Sequence, residues 1–75
     1  MIEWFDMSSP YPEIKVWGAI ELPFQYCMSY DESDFKFYVS AKTYPNAGKR
    51  TDLGVYYSRS DAELACANHW WNHYR

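Results

Sequence analysis

Alternation of apolar and polar residues is the feature of this chain that most limits its fold. In residues 35–42, "FKFYVSAK", the odd positions are apolar and the even positions are Lys, Tyr, Ser and Lys. A period of two is typical of a β-strand that buries one face. The same period occurs less cleanly in residues 14–22 and 24–30. A further strand is expected in residues 50–58, after the loop "PNAGK", whose residue types hairpins favour.

Residues 60–74 contain neither glycine nor proline, and they begin with a signal for the start of a helix. Ser60 is followed three residues later by Glu63, which is the spacing of a capping box, and Asp61 carries the charge that a helix N-terminus favours. At about 100° per residue, one stripe of this helix is apolar. We expect that stripe to contact the sheet: Leu64, Ala67, Trp71 and Tyr74.

These patterns predict one α+β domain, an antiparallel sheet of three to four strands with one C-terminal helix packed on one face. Residues 1–12 are expected to form an irregular arm, residues 13–58 the sheet and residues 60–74 the helix. The arm contains apolar residues, so we expect it to dock on the body. Gly18 interrupts the first alternating stretch and predicts either a bulge or a close approach of another part of the chain.

Rings and charges point to a binding partner. Sixteen of the 75 residues are Phe, Trp or Tyr, more than the interior of so small a domain can hold, and seven of the ten acids lie in residues 1–34. Acids steer a protein toward a basic surface and exposed rings anchor it there, although acids can also simply keep a protein soluble. We predict this partner-binding set: Glu13, Trp17, Glu21, Tyr26, Tyr30, Asp31, Glu32 and Asp34.

A zinc site is an alternative role for some polar residues of the helix. His69 and His73 are spaced to point at one ion, and two cysteines could complete the set: Cys27, Cys66, His69 and His73. No Cys-x-x-Cys pair supports this set, and Cys66 is also typical of a small core residue. The sequence has no glycine-rich phosphate loop and no nucleophile-elbow motif. We therefore expect a protein that is not an enzyme and that holds no metal or other cofactor.

Residues 35–70 resemble a known kind of DNA-binding module. The resemblance rests on residues 48–50 (GKR), residues 53–56 (LGVY) and residues 61–63 (DAE) with Ala65. The modules that these residues resemble are the three-strand-plus-helix modules of AP2 domains and of the arm-binding N-terminal domains of phage-type integrases. Those families place a sheet in the major groove of DNA, which implies this DNA-facing set here: Lys36, Tyr38, Lys42, Lys49 and Arg50.

By type, the chain also resembles small phage-encoded accessory proteins, including anti-CRISPR proteins, which are short, acidic and rich in aromatic residues. Such proteins act by occupying a surface of their partner. The leading hypothesis is a non-enzymatic protein-binding module, of which a phage-encoded inhibitor of a host nucleic-acid-handling complex of the CRISPR type is one form. The alternative is a small sheet-based DNA-binding protein of the AP2 or integrase-arm type.

The expected location follows from the same composition. The N-terminal residues are acidic and contain prolines where a secretory signal has a basic start, and no run approaches the ~20 apolar residues of a membrane span. We therefore expect a cytoplasmic protein that does not enter a membrane. Its protein partner would have a basic surface. The number of rings is also compatible with a homodimer.

Overall fold

The structure, a computed structural model, describes residues 2–44 and 50–74, the last of these by its backbone alone. Its elements are β1 (Phe5–Met7), β2 (Ile14–Glu21), β3 (Phe24–Asp31), β4 (Lys36–Thr43), β5 (Thr51–Tyr56) and α1 (Arg59–Tyr74). The strands form one sheet in chain order, and every neighbouring pair is antiparallel. The predicted α+β class with one C-terminal helix is confirmed, with five strands in place of three to four. Within the described ranges, no helix combines the length and the apolar character needed to cross a membrane.

The additional strand, β1, lies in the arm that the sequence predicts to be irregular. It pairs with β2 so that Phe5 is opposite Gly18 and Met7 is opposite Val16. The Met7 Sδ atom lies 2.6 Å, and the Phe5 ring 3.2 Å, from the position that a Cβ atom on residue 18 would occupy. Gly18 therefore marks a close approach and not a bulge, because the pairing of β1 with β2 is continuous. The arm also docks as expected, since Ile2 packs against the core.

Two rows of side chains that cross the sheet build the core. The register aligns Ala19 with Tyr26 and Ala41, and it aligns Met28 with Val39 in the next row. All five are at most 2% exposed. Because side chains alternate along a strand, the residues between them face the other way. Within the described ranges, no helix or strand packs on that opposite side. We call it the open face, and its side chains include Ile20, Cys27, Ser29, Tyr38, Ser40 and Val55.

Helix α1 begins earlier than the sequence predicts. The Oγ atom of Ser58 accepts a hydrogen bond from the backbone N–H of Asp61 at 3.1 Å, which makes Ser58 the N-cap. The capping box expected at Ser60 is therefore wrong. Glu63 accepts instead from the Nε–H of Arg59 at 2.6 Å, one helical turn away on the exposed side.

The rotation of α1 about its axis also differs from the prediction. Ala62 and Cys66 are fully buried, whereas Leu64 is 57% and Trp71 54% exposed. Ala67 is exposed as well, and the side chain of Tyr74 lies outside the described part. The expected sheet contact through this apolar stripe is therefore wrong.

Volume explains the rotation of the helix. Tyr26 and Met28 already fill the space between the sheet and α1, and both are 0% exposed. The helix can approach the sheet only with small side chains in between, and Ala62 and Cys66 meet that requirement. Close packing at the centre of the interface thus outweighs the hydrophobicity of single side chains.

The last strand has an irregular register with β4. Val39 is opposite Gly54 and Ser40 is opposite Asp52, so Leu53 is the extra residue of a bulge. Gly54 has φ +119°, which a residue with a side chain rarely adopts. The hydroxyl of Tyr56 donates to the carbonyl of Leu53 at 2.7 Å, which orients its ring beside the helix.

Candidate functional site at the acidic end of the sheet

Four of the predicted partner-binding acids meet at one end of the sheet. Glu13 immediately precedes β2, and the others lie where β3 turns into β4. Because β2 and β3 are antiparallel neighbours, the start of one lies beside the end of the other, and the backbone N–H of Glu32 donates to the carbonyl of Glu13 at 3.0 Å. We call this group the acidic end: Glu13, Asp31, Glu32 and Asp34.

The turn between β3 and β4 holds two of these carboxylates in place. Asp31 Oδ1 accepts from the backbone N–H of Ser33 at 2.9 Å and from its hydroxyl at 2.6 Å, and these bonds lower the pKa of Asp31. Asp34 accepts from the backbone N–H of Lys36 at 3.0 Å and from the hydroxyl of Tyr38. Both carboxylates are thus oriented by the fold before any partner arrives.

Phe35 ends the same turn and points away from the body. Its φ is 58°, in the left-handed region, and its side chain is 68% exposed. The alternation of residues 35–42 predicts that this ring lies on the inner side of a strand. That prediction is wrong because β4 begins at Lys36, and the backbone N–H of Phe35 closes the turn on the carbonyl of Asp31 at 2.8 Å. A non-glycine residue in this conformation costs about 1–2 kcal/mol, which the turn must offset.

Tyr57 adds a second exposed ring near the acidic end. It follows Tyr56, which is opposite Phe37 near the start of β4, and it is 77% exposed. Neither Phe35 nor Tyr57 belongs to the partner-binding set predicted from the sequence. The signal for Tyr57 is its position between the end of a strand and the N-cap of a helix, where neither face is covered.

Two bases lie close to the acidic end and limit its charge. The Nζ atom of Lys15 is 3.8 Å from a carboxylate oxygen of Glu32, with both side chains at least half exposed. Lys36 is opposite Asp31 across the β3–β4 pair. Ion pairs this exposed contribute about 0–1 kcal/mol to stability, so Glu32 remains available to an incoming charge.

The predicted rings of the partner-binding set lie elsewhere. Trp17 and Tyr30 are half-buried on the helix side, with centroids 6.4 and 4.5 Å from the ring of Phe37, and the guanidinium of Arg59 lies 4.7 Å over Trp17. Tyr26 is fully buried, so its prediction as an exposed anchor is wrong.

Glu21 is the remaining member of the predicted set. It lies at the far end of β2, roughly 23 Å from the start of that strand at 3.3 Å per residue. The structure therefore does not bring Glu21 together with the acidic end. Of the eight predicted residues, the four acids of the acidic end share one surface. Trp17 and Tyr30 are half-buried on the helix side, Tyr26 is buried, and Glu21 is at the other end of β2.

The DNA-facing set implied by the resemblance lies mainly on the open face. Lys36, Tyr38 and Lys42 occupy alternate positions of β4, on the side opposite Phe37 and Val39. Arg50 lines a shallow cleft on this face with Cys27 and Ser40. Lys49 lies outside the described residues.

The zinc set is not brought together. Cys27 lies on the open face, whereas Cys66 and His69 lie between the sheet and α1. Among the described residues no group of three or more His, Cys, Asp or Glu side chains has the arrangement of a metal site. Burial raises the pKa of the Cys66 thiol to about 12, which keeps it protonated. The four residues of the predicted zinc set thus do not form a metal-site group among the described residues.

His69 has a packing role instead. Its Nδ1 atom lies 2.9 Å from the hydroxyl of Tyr26, and its ring meets the ring of Phe24 edge to face at 4.7 Å. Burial raises the pKa of Tyr26 and lowers the pKa of His69, so the hydroxyl donates and the neutral imidazole accepts. This bond joins the centre of the sheet to the last turns of the helix.

Comparison with known proteins finds no match to the chain among protein-family models, curated proteins or solved structures. The chemistry of the site therefore has to be argued from its own contacts. In this site the carboxylates of Asp31 and Asp34 are oriented by hydrogen bonds, and two further carboxylates lie at the surface. The exposed rings of Phe35 and Tyr57 are close by. Such a combination is suited to a contact that charge steers and that rings anchor.

Proposed function

We propose that this chain is a non-enzymatic protein-binding module that docks its acidic end on a basic surface of another macromolecule. One observation carries the proposal: the oriented carboxylates of Asp31 and Asp34 lie beside Phe35, a ring that the turn holds outward at 68% exposure. Among the described residues, that ring is not one of the apolar side chains that build the core or pack against it. Its outward position is therefore a candidate for contact with a partner.

Charge and rings have different roles in such a contact. Exposed carboxylates mainly raise the rate of association, and they do so less at high salt. A ring that becomes fully covered acts on the rate of dissociation, and truncating it costs about 2 kcal/mol, roughly 30-fold in affinity. Surfaces that bind nucleic acid are basic, so a nucleic-acid-handling complex of the host is the partner class we propose, in keeping with the resemblance in type to phage accessory proteins.

Affinity capture from a lysate of the native host tests this proposal with matched baits. The first variant, Glu13→Lys with Glu32→Lys, reverses two charges and leaves the turn bonds of Asp31 and Asp34 intact. The second, Phe35→Asn, removes the ring and keeps a residue type that tolerates positive φ. Asp52→Asn on β5 is the control, because it removes one exposed carboxylate away from the acidic end.

We expect one protein to be retained by the wild-type and Asp52→Asn baits and lost from both acidic-end variants. With the purified partner, the charge variant should slow association and reduce its salt dependence, and Phe35→Asn should speed dissociation. Equal retention by all four baits contradicts the proposal. Recovery of nucleic acid with no protein contradicts it as well.

A second candidate function is supported by a different observation, the uncovered side of the sheet. We propose as the alternative that the open face binds duplex DNA, since Lys36, Tyr38 and Lys42 all project from it. Asp31 and Asp52 reduce the positive charge near these bases, and each missing phosphate contact removes about one unit from the salt slope.

Binding of a fluorescent duplex at low salt separates the two candidates. If the sheet is the DNA-binding surface, Lys42→Glu with Arg50→Glu abolishes binding, whereas Lys15→Glu, a base near the acidic end, leaves most of it. We expect no salt-dependent duplex binding by the wild-type protein. If the wild-type protein binds the duplex and only Lys42→Glu with Arg50→Glu loses that binding, the DNA-binding proposal would replace the protein-binding proposal.

A further inference from the structure

The side of α1 that faces away from the sheet exposes large apolar side chains, and no helix or strand of the described residues covers it. Leu64 and Trp71 are each more than half exposed, and Ala67 lies between them at helical spacing. We call these three residues the outer face of α1. From residue 64 to residue 72 the chain has no Asp, Glu, Lys or Arg. A partner that recognises charge therefore has no charge to pair with here, in contrast to the acidic end.

A groove lies beside the N-terminal half of the outer face. It has a volume of about 300 Å³ and is lined by Tyr56, Asp61, Leu64, Ala65 and Asn68. Trp71 projects from the same helix about 10 Å farther along its axis, at 1.5 Å per residue. One surface thus carries both an open groove, whose lining is part apolar and part polar, and a large exposed ring.

We propose that the outer face of α1 is the contact with a second copy of this chain. A two-fold axis near Ala67 would run the two helices antiparallel and place Trp71 of each copy in the groove of the other. A projecting ring and a groove on one surface can make that surface self-complementary, as a two-fold contact requires, because each copy then offers both. Ala67 is small enough to let two helices cross at the 8–10 Å of ordinary helix packing.

The absence of Asp, Glu, Lys and Arg from the outer face is compatible with a second copy, because identical surfaces repel when they carry net charge. Asp61, which lines the groove beside the outer face, is the carboxylate that each copy would bring near the contact. The area is modest, because a 16-residue helix is only about 24 Å long. A contact of that length lies at the small end of specific interfaces, so the dimer should dissociate on dilution.

Sedimentation equilibrium or light scattering across a range of concentrations tests the proposal on the full chain. We expect the mass to rise from the 9.0 kDa of the monomer toward twice that value as concentration increases. Trp71→Ala should stay monomeric at concentrations where wild type is mostly dimeric. Phe35→Ala, which removes an even more exposed ring from the acidic end, should dimerise like wild type. Circular dichroism confirms that both variants remain folded.

A designed disulfide tests the antiparallel geometry. In a Cys27→Ser background, Ala67→Cys places a thiol near the two-fold axis and should yield a covalent dimer on mild oxidation. Ser60→Cys, on the same helix but about two turns away, should not, because a disulfide needs Cα atoms within about 7 Å. A wild-type protein that is monomeric throughout, or crosslinking of both variants alike, overturns the proposal. The capture experiment does not depend on this result, because the outer face and the acidic end share no residue.

Discussion

The two sides of α1 differ in a way that runs against simple hydrophobic ranking. The side that packs on the sheet presents Ala62, Cys66 and the polar ring of His69, while the side that faces away presents Leu64 and Trp71. Ordinarily the larger apolar side chains are buried. Here Tyr26 and Met28 of the sheet fill the space between the sheet and α1, and the small side chains of α1 let the helix approach the sheet closely.

This difference shows that burial depends on the fit between two surfaces. A small residue opposite a large one gives a dense interface, and a large residue opposite a large one would push the helix away from the sheet. Rings that the interior cannot accept remain outside, and Trp71, Phe35 and Tyr57 are among them. These are the rings that we propose for contacts with other molecules.

The largest effect should come from reversing the size pattern on the packed side. Ala62→Leu adds three carbons to a site that is 0% exposed, so we expect overpacking to lower the free energy of unfolding by about 1–3 kcal/mol. Ala67→Leu makes the same change on the outer face and should alter the free energy of unfolding by no more than about 0.5 kcal/mol. Urea denaturation of both variants, at a concentration where the protein is monomeric, measures the difference. Equal losses would mean that the helix is rotated differently.

The pattern of the sequence accounts for much of the fold. Alternation in residues 35–42 correctly places Phe37 and Val39 on the helix side and Tyr38 on the open face. It cannot reveal β1, because three residues are too short for a period to appear. It also cannot set the rotation of α1, since periodicity ranks Leu64 above Ala62 and contains no information about the volume opposite each position.

The candidate site was predictable in part for the same reason. Acids at the start of β2 and at the end of β3 must meet if the two strands form a hairpin, so Glu13 and Asp31 could be grouped from the sequence. The exposure of Phe35 could not, because it depends on a left-handed backbone conformation that closes the turn. The burial of Tyr26 could not be predicted either, because it depends on the helix that covers this ring. The alternation of apolar and polar residues in its strand would be the same if the ring were exposed.

A smaller effect should distinguish the two serines at the start of α1. Ser58→Ala removes the acceptor for the backbone N–H of Asp61, and the loss of an N-cap costs about 1 kcal/mol. Ser60→Ala, at the position that the sequence favours as cap, should change the free energy of unfolding by less than half of that. Thermal and urea denaturation provide the measurement. The reverse ranking would place the start of the helix two residues later.

The smallest expected effect concerns the bond between Tyr26 and His69. Burial, and to a lesser extent the charge of His73, lowers the pKa of His69 below its ordinary value of 6.5. The unfolded chain then binds a proton at a higher pH than the folded chain does, so the stabilising contribution of His69 is complete above pH 6.5 and is lost as the pH falls toward the lowered value. We expect a loss smaller than that of the N-cap, because the ring is only partly buried.

An NMR titration of the His69 ring protons measures this directly. Its midpoint should lie below 6.5, and His73→Gln should move it upward by only part of the difference, because burial, the larger cause, is unchanged. Protonated His69 cannot accept the hydroxyl hydrogen of Tyr26, so the hydrogen bond in this sense should be lost over the same pH range. A midpoint at or above 6.5 would mean that the folded protein favours the charged ring. The hydrogen bond that joins sheet to helix would then run in the opposite sense, from the imidazolium to the oxygen of Tyr26.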